Sequence, residues 1–119
     1  MAIETAVDWS LPEALQQLAE CGERDIVTEV LTLFQSDTES RLKALRSSVE
    51  AGDRPRVRAQ AHSLKGSAVQ VGAIAMADSC RELELTAETC PEMHSLLEQI
   101  ESRFVLVSKA ISLEYGVVQ

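Results

Sequence analysis

The chain has 119 residues and a formal net charge of −8, enough for a single domain over residues 1–119 with one modest core. Such acidity argues against a nucleic-acid partner, because phosphate backbones reward clustered Lys and Arg. Apolar residues make up 45% but aromatics only 3%, and 5 Gly with 3 Pro leave few turns. An aliphatic helical core is therefore expected, not a many-stranded β fold.

Ser10-Leu11-Pro12-Glu13 reads as a capping box, with the Ser10 hydroxyl as N-cap and Glu13 at the third helical position. It opens a short helix over about 11–20 that stops at Gly22. A long helix follows over about 23–51. Val27, Leu31, Phe34, Thr38, Leu42, Leu45 and Val49 share one stripe on it at helical spacing, and Gly52 ends it. Asp53 caps a third helix over about 54–71, with Pro55 in the first turn, where its missing N–H does little harm. Gly72 marks the next stop, and a fourth helix over about 74–88 carries Met76, Cys80, Leu83 and Ala87. Thr89-Cys90-Pro91-Glu92 reads as a second capping box. The fifth helix, over about 91–115, has Met93, Leu96, Leu97, Ile100, Phe104, Val107 and Ile111 as its stripe. Each proline thus marks a helix start. Short connections force antiparallel neighbours, so the expected fold class is all-α: an antiparallel up-down four-helix bundle with an additional short N-terminal helix on one end.

Cys21, Cys80 and Cys90 are odd in number and lack metal-finger spacing. Cys80 lies on an apolar stripe and reads as a small core hydrophobe. Cys90 and His94 stand four residues apart, but no further ligand pair accompanies them, so no metal site is expected. Reduced thiols, no signal peptide and no apolar run near about 18 residues predict a soluble, cytoplasmic chain with no membrane role.

The third helix carries the chemistry. At 100° per residue, Val57, Ala61, Leu64, Ala68 and Val71 fall within about 80° of one another and form its buried stripe. His62 lies about 140° from Val57 and faces water. Arg58 and Lys65 flank it on the same face, and Gly66 sits beside it, where it costs the helix about 1 kcal/mol relative to Ala. Residues 54–77 hold Arg54, Arg56, Arg58 and Lys65 and no acid, a local +4 in a chain whose remainder carries −12. Imidazole in water titrates near pH 6.5, so at neutral pH a histidine offers a nucleophilic lone pair. An exposed imidazole between two cations, beside bare backbone, suits the handling of phosphate.

The run Ala61-His62-Ser63-Leu64-Lys65-Gly66-Ser67, followed by Gly72-Ala73, resembles the signature of histidine-containing phosphotransfer (HPt) domains, the phosphohistidine carriers of multistep two-component relays. The likeness extends to Phe34 and Leu42-Lys43-Ala44-Leu45 on the long helix, to Ala51-Gly52-Asp53, and to Cys80-Arg81-Glu82-Leu83-Glu84 beyond the motif. The resemblance implies that His62 accepts a phosphoryl group on Nε2 from a receiver-domain aspartate and passes it to another receiver. It implies Lys65, with Arg58, as phosphate-stabilising cations, and Glu84 as the residue that hydrogen-bonds and orients the histidine. Gly66 would keep the approach to His62 open, and Ser67 would be a packing or hydrogen-bonding residue near the site. Val69 and Gln70 share the outer face as candidate docking residues.

The chain itself would need no cofactor, since Mg²⁺ belongs to the partner receiver. Its partners would be response-regulator receivers and a hybrid sensor histidine kinase, and it would act as a monomer. No glycine-rich nucleotide loop is visible, so the expectation is a carrier without autonomous kinase activity. Two other readings stay open: a phosphotransfer segment of a larger hybrid or chemotaxis-type kinase, and a helical docking module that is not phosphorylated. His94 has no basic neighbours and reads as an ordinary surface residue.

Overall fold

The structure is a computed structural model that describes residues 9–89 and 91–116. Five helices occur in chain order: α1 (Glu13–Glu20), α2 (Arg24–Ala51), α3 (Arg54–Gln70), α4 (Ile74–Thr86) and α5 (Met93–Tyr115). Each of α2 to α5 packs on its chain neighbours, α5 closes back on α2, and α1 lies on α2. The result is an all-α four-helix bundle with a short additional helix. Leucine, valine, isoleucine and alanine fill the core, as the low aromatic content requires. Phe34 and Phe104 meet edge-to-face across the α2–α5 seam, with ring centroids 6.1 Å apart. Arg46 on α2 makes a two-point bond to Glu101 on α5, at 3.1 and 2.6 Å.

The apolar stripes land where helical periodicity puts them. Val57, Ala61, Leu64 and Ala68 are fully buried on α3, and Val71 is buried just beyond its end. Every stripe residue of α2 is buried, and Met76, Cys80, Leu83 and Ala87 are fully enclosed. Leu96 on α5 is only half-buried. Burial pushes the Cys80 thiol up to about 12, so it stays protonated and behaves as a packing group.

Two expected caps do not form. Pro12, not Ser10, is the N-cap of α1 and makes no side-chain cap bond. The preceding residues are engaged elsewhere: Trp9 bridges to Ala73, its indole Nε1 donates to the Val71 carbonyl at 2.8 Å, and Leu11 is buried. The contacts of the indole with the α3–α4 turn, together with burial of Leu11 in the core, outweigh a local hydroxyl cap, which contributes only about 1 kcal/mol. At the other site α4 ends at Thr86, two residues early, and α5 begins at Met93 with Glu92 as an uncapped N-cap. Arg54 donates to the Ala87 carbonyl at 2.6 Å, satisfying an acceptor that the shorter α4 leaves free. Cys90, and with it the Cys90–His94 pairing, lies outside the described residues.

The α3–α4 turn decides what faces His62. Asp53 starts α3 as expected, accepting from the Arg56 amide at 3.3 Å. Gly72 ends it with φ +81°, and the amides of Gly72 and Ala73 close back on the carbonyls of Val69 and Ala68. A side chain at Gly72 would run into the Ser10 carbonyl and the Pro12 ring. Left-handed backbone and crowding both demand glycine there. The chain therefore reverses in three residues, and α4 returns antiparallel along α3.

Candidate functional site

His62 stands on the outer face of α3 with 66% of its side chain exposed. Its Nδ1 lies 2.8 Å from Oε2 of Glu84 on α4. Lys65, one turn further along α3, places Nζ 3.1 Å from the other oxygen, Oε1. A single carboxylate, 18% exposed, thus bridges the imidazole and the lysine. Burial works to raise the Glu84 carboxyl, but the hydrogen bonds from Lys65 and His62 outweigh it and hold the group below the usual carboxylate range. An ionised carboxylate can only accept, so Nδ1 carries the proton of this contact, and Nε2 is the ring nitrogen not engaged by Glu84.

Two kinds of surface lie along α3. Toward the start of α3, Arg58 pairs with Glu88 at 3.3 Å, and both side chains are about 60% exposed. A shallow cleft of about 440 Å³ opens there against His62, lined by Pro55, Arg58, Ala59, Glu84 and Glu88. Away from the ring, toward the end of α3, lies a largely apolar groove of about 620 Å³ between α1, α2 and α3, with Leu15, Val30, Leu33, Phe34 and Val71 among its walls. Ser67 and Gln70 also line this groove, while Leu33 and Val69 are exposed.

Gly66 is exposed within regular α3, and a Cβ added to it would meet nothing within 4 Å. His94 is exposed on α5. Among the described residues no three His, Cys, Asp or Glu converge as metal ligands. No helix among them is long and apolar enough to cross a membrane.

The structure brings His62, Lys65 and Glu84 into one network, with Arg58 a turn away. The sequence reading placed Lys65 as a cation facing phosphate; in the structure it faces a carboxylate. That reading also missed Glu88, although the spacing contained the clue. Arg58 lies four residues before His62, Glu88 lies four after Glu84, and α4 runs antiparallel to α3. A second pair across the same seam, with Glu88 just past the end of α4, is consistent with that spacing. Missed as well was the contact of Arg41, which donates to Ser63 Oγ while pairing with Asp37 at 2.6 Å.

This bundle, with a water-facing histidine steadied by a carboxylate, belongs to a definite class. The Hpt domain family matches residues 29–107, and the chain belongs to that family. It is 29% identical over 112 residues to histidine-containing phosphotransfer protein 1 of Arabidopsis thaliana, an alignment covering 88% of this chain and 71% of that one. Its fold matches the crystal structure of histidine-containing phosphotransfer protein B (HptB) from Pseudomonas aeruginosa PAO1 with a TM-score of 0.79 and 30% identity, over 92% of this chain and 96% of that one. The protein is thus an HPt-type phosphorelay carrier of two-component signalling.

Proposed function

We propose that His62 is the phosphoryl acceptor, charged by the phosphoaspartate of one receiver domain and discharged to the aspartate of another. The observation that carries this reading is the exposed imidazole whose Nδ1 is held by Glu84 at 2.8 Å. Nε2 attacks phosphorus, the Nε2–P bond forms as the acyl O–P bond breaks, and the electron pair leaves on the aspartate carboxylate. The Nδ1 proton stays in place, so the phosphorylated ring is cationic, and the Glu84 carboxylate compensates that charge. Keeping this proton also keeps the ring a good leaving group for the return step.

Lys65, one turn from His62 on α3, supplies a charge-assisted hydrogen bond to the new phosphoryl group. Arg58 contributes from the other flank. Gly66 leaves room for the receiver's active-site loops, and Ser67 belongs to the wall of the apolar groove. That groove, with exposed Leu33 in its wall and exposed Val69 next to its Gln70 in sequence, suits the docking of a receiver's apolar surface. Mg²⁺ and most catalytic groups come with the receiver. The chain acts as a cytoplasmic, monomeric carrier without kinase activity of its own.

The test is to incubate the chain with phosphorylated receivers and follow the label. It is expected on wild type, acid-labile and alkali-stable as a P–N bond requires, and absent from a folded His62→Gln variant. Labelling of His62→Gln, or loss of labelling in His94→Gln, overturns the assignment.

A further inference from the structure

Both cations that flank His62 on α3 are engaged by carboxylates: Lys65 by Glu84 of α4 at 3.1 Å, and Arg58 by Glu88, just past the end of α4, at 3.3 Å. Two positive and two negative charges surround the ring, so the cations identified as phosphate-stabilising are neutralised before any phosphoryl group arrives. The two carboxylates differ in what else they touch. Glu84 is bound to the imidazole itself. Glu88 faces Arg58 across the mouth of the cleft beside His62.

An exposed ion pair of this kind contributes little to stability. A phosphoryl group on Nε2 carries nearly two negative charges and three acceptor oxygens, and it competes for Arg58 more strongly than a single carboxylate does. Arg58 must leave Glu88 to reach it, so the hold of Glu88 on Arg58 subtracts from the stabilisation of phosphohistidine. We propose that Glu88 is a positioning residue that, through Arg58, sets how the phosphoryl group partitions between His62 and the receiver aspartate. By holding Arg58 back, it keeps the carrier from becoming a trap. The inference rests on the phosphocarrier reading above and leaves its bond changes untouched; only the equilibrium constant between the two phosphorylated states is altered.

The test is the equilibrium distribution of label between the chain and one purified receiver, for wild type, Glu88→Gln, Arg58→Gln and the double variant. Glu88→Gln should shift label toward the histidine by about two- to fivefold, the range an exposed pair supplies, with melting unchanged. Arg58→Gln should shift it the other way. In the Arg58→Gln background, Glu88→Gln should have almost no effect, whereas Glu88→Asp in the otherwise wild-type chain should keep the wild-type distribution. The shift should also shrink at high ionic strength, since the groups are exposed. An unshifted distribution in Glu88→Gln overturns the proposal. So does a shift of equal size without Arg58, which would make Glu88 a direct repellent of phosphate. A wild-type chain that takes no label, or a His62→Gln chain that does, overturns the underlying reading instead.

Discussion

Replacing Glu84 by alanine tests the centre of the site, because one carboxylate serves both His62 and Lys65. The substitution removes the 2.8 Å contact to Nδ1 and the 3.1 Å contact to Nζ together. A hydrogen bond involving a charged group contributes about 1.5–3 kcal/mol when well enclosed. His62 is two-thirds exposed, so the lower end applies, and about 1–2 kcal/mol of transition-state stabilisation is at stake. Phosphoryl transfer should therefore slow by about 5- to 30-fold.

Folding should suffer far less, by at most about 1 kcal/mol, because the histidine and lysine return to water unhindered. Glu84→Gln should fall between, since its amide oxygen still accepts from Nδ1–H but the compensating charge is gone. The assay is transfer from a phosphorylated receiver under single-turnover conditions, paired with NMR of the His62 ring nitrogens to read which one carries the proton. The pH dependence has a definite sign. The Glu84 carboxyl is held below its ordinary value of 4.5, so its contribution to stability is complete above that pH and is lost as pH falls through the lower folded value. Wild-type transfer rates in Glu84→Ala, with the proton still on Nδ1, would refute the assignment of Glu84 as the group that orients the ring.

Three further substitutions, at Lys65 and Gly66, separate chemistry from folding. Lys65→Ala should slow transfer by about 10- to 100-fold, equivalent to 1.4–3 kcal/mol, while melting changes by no more than about 0.5 kcal/mol; normal transfer reduces Lys65 to a partner of Glu84. Gly66→Ala should stabilise the domain by up to about 1 kcal/mol, since its Cβ meets nothing and α3 is regular there. Gly66→Gln should fold as well as wild type yet accept phosphate poorly from a receiver, while a small donor such as phosphoramidate, if it labels the wild type, still labels the variant. Unfolding of Gly66→Gln would show the glycine to be a packing residue, and normal transfer would remove the steric argument.

Local rules carried much of this protein. The 3.6-residue period of Val57, Ala61, Leu64 and Ala68 alone determined that α3 buries one face and turns His62 to water, because burial of aliphatic surface dominates helix orientation. Asp53 and Gly72 likewise bounded α3 by properties residing in single residues, a short acceptor side chain and a missing Cβ. The start of α1 was not local. Ser10 had the chemistry of a cap, but Trp9 bonds to the α3–α4 turn and Leu11 enters the core, and no window around residue 10 contains residues 71–73. The occupancy of the cations was also beyond the sequence. Whether Lys65 and Arg58 face solvent or Glu84 and Glu88 depends on the register of α4 against α3, which a three-residue reversal at Gly72 sets. Helical period decided which side chains are outside, and only the packing of one helix on another decided which of those meet.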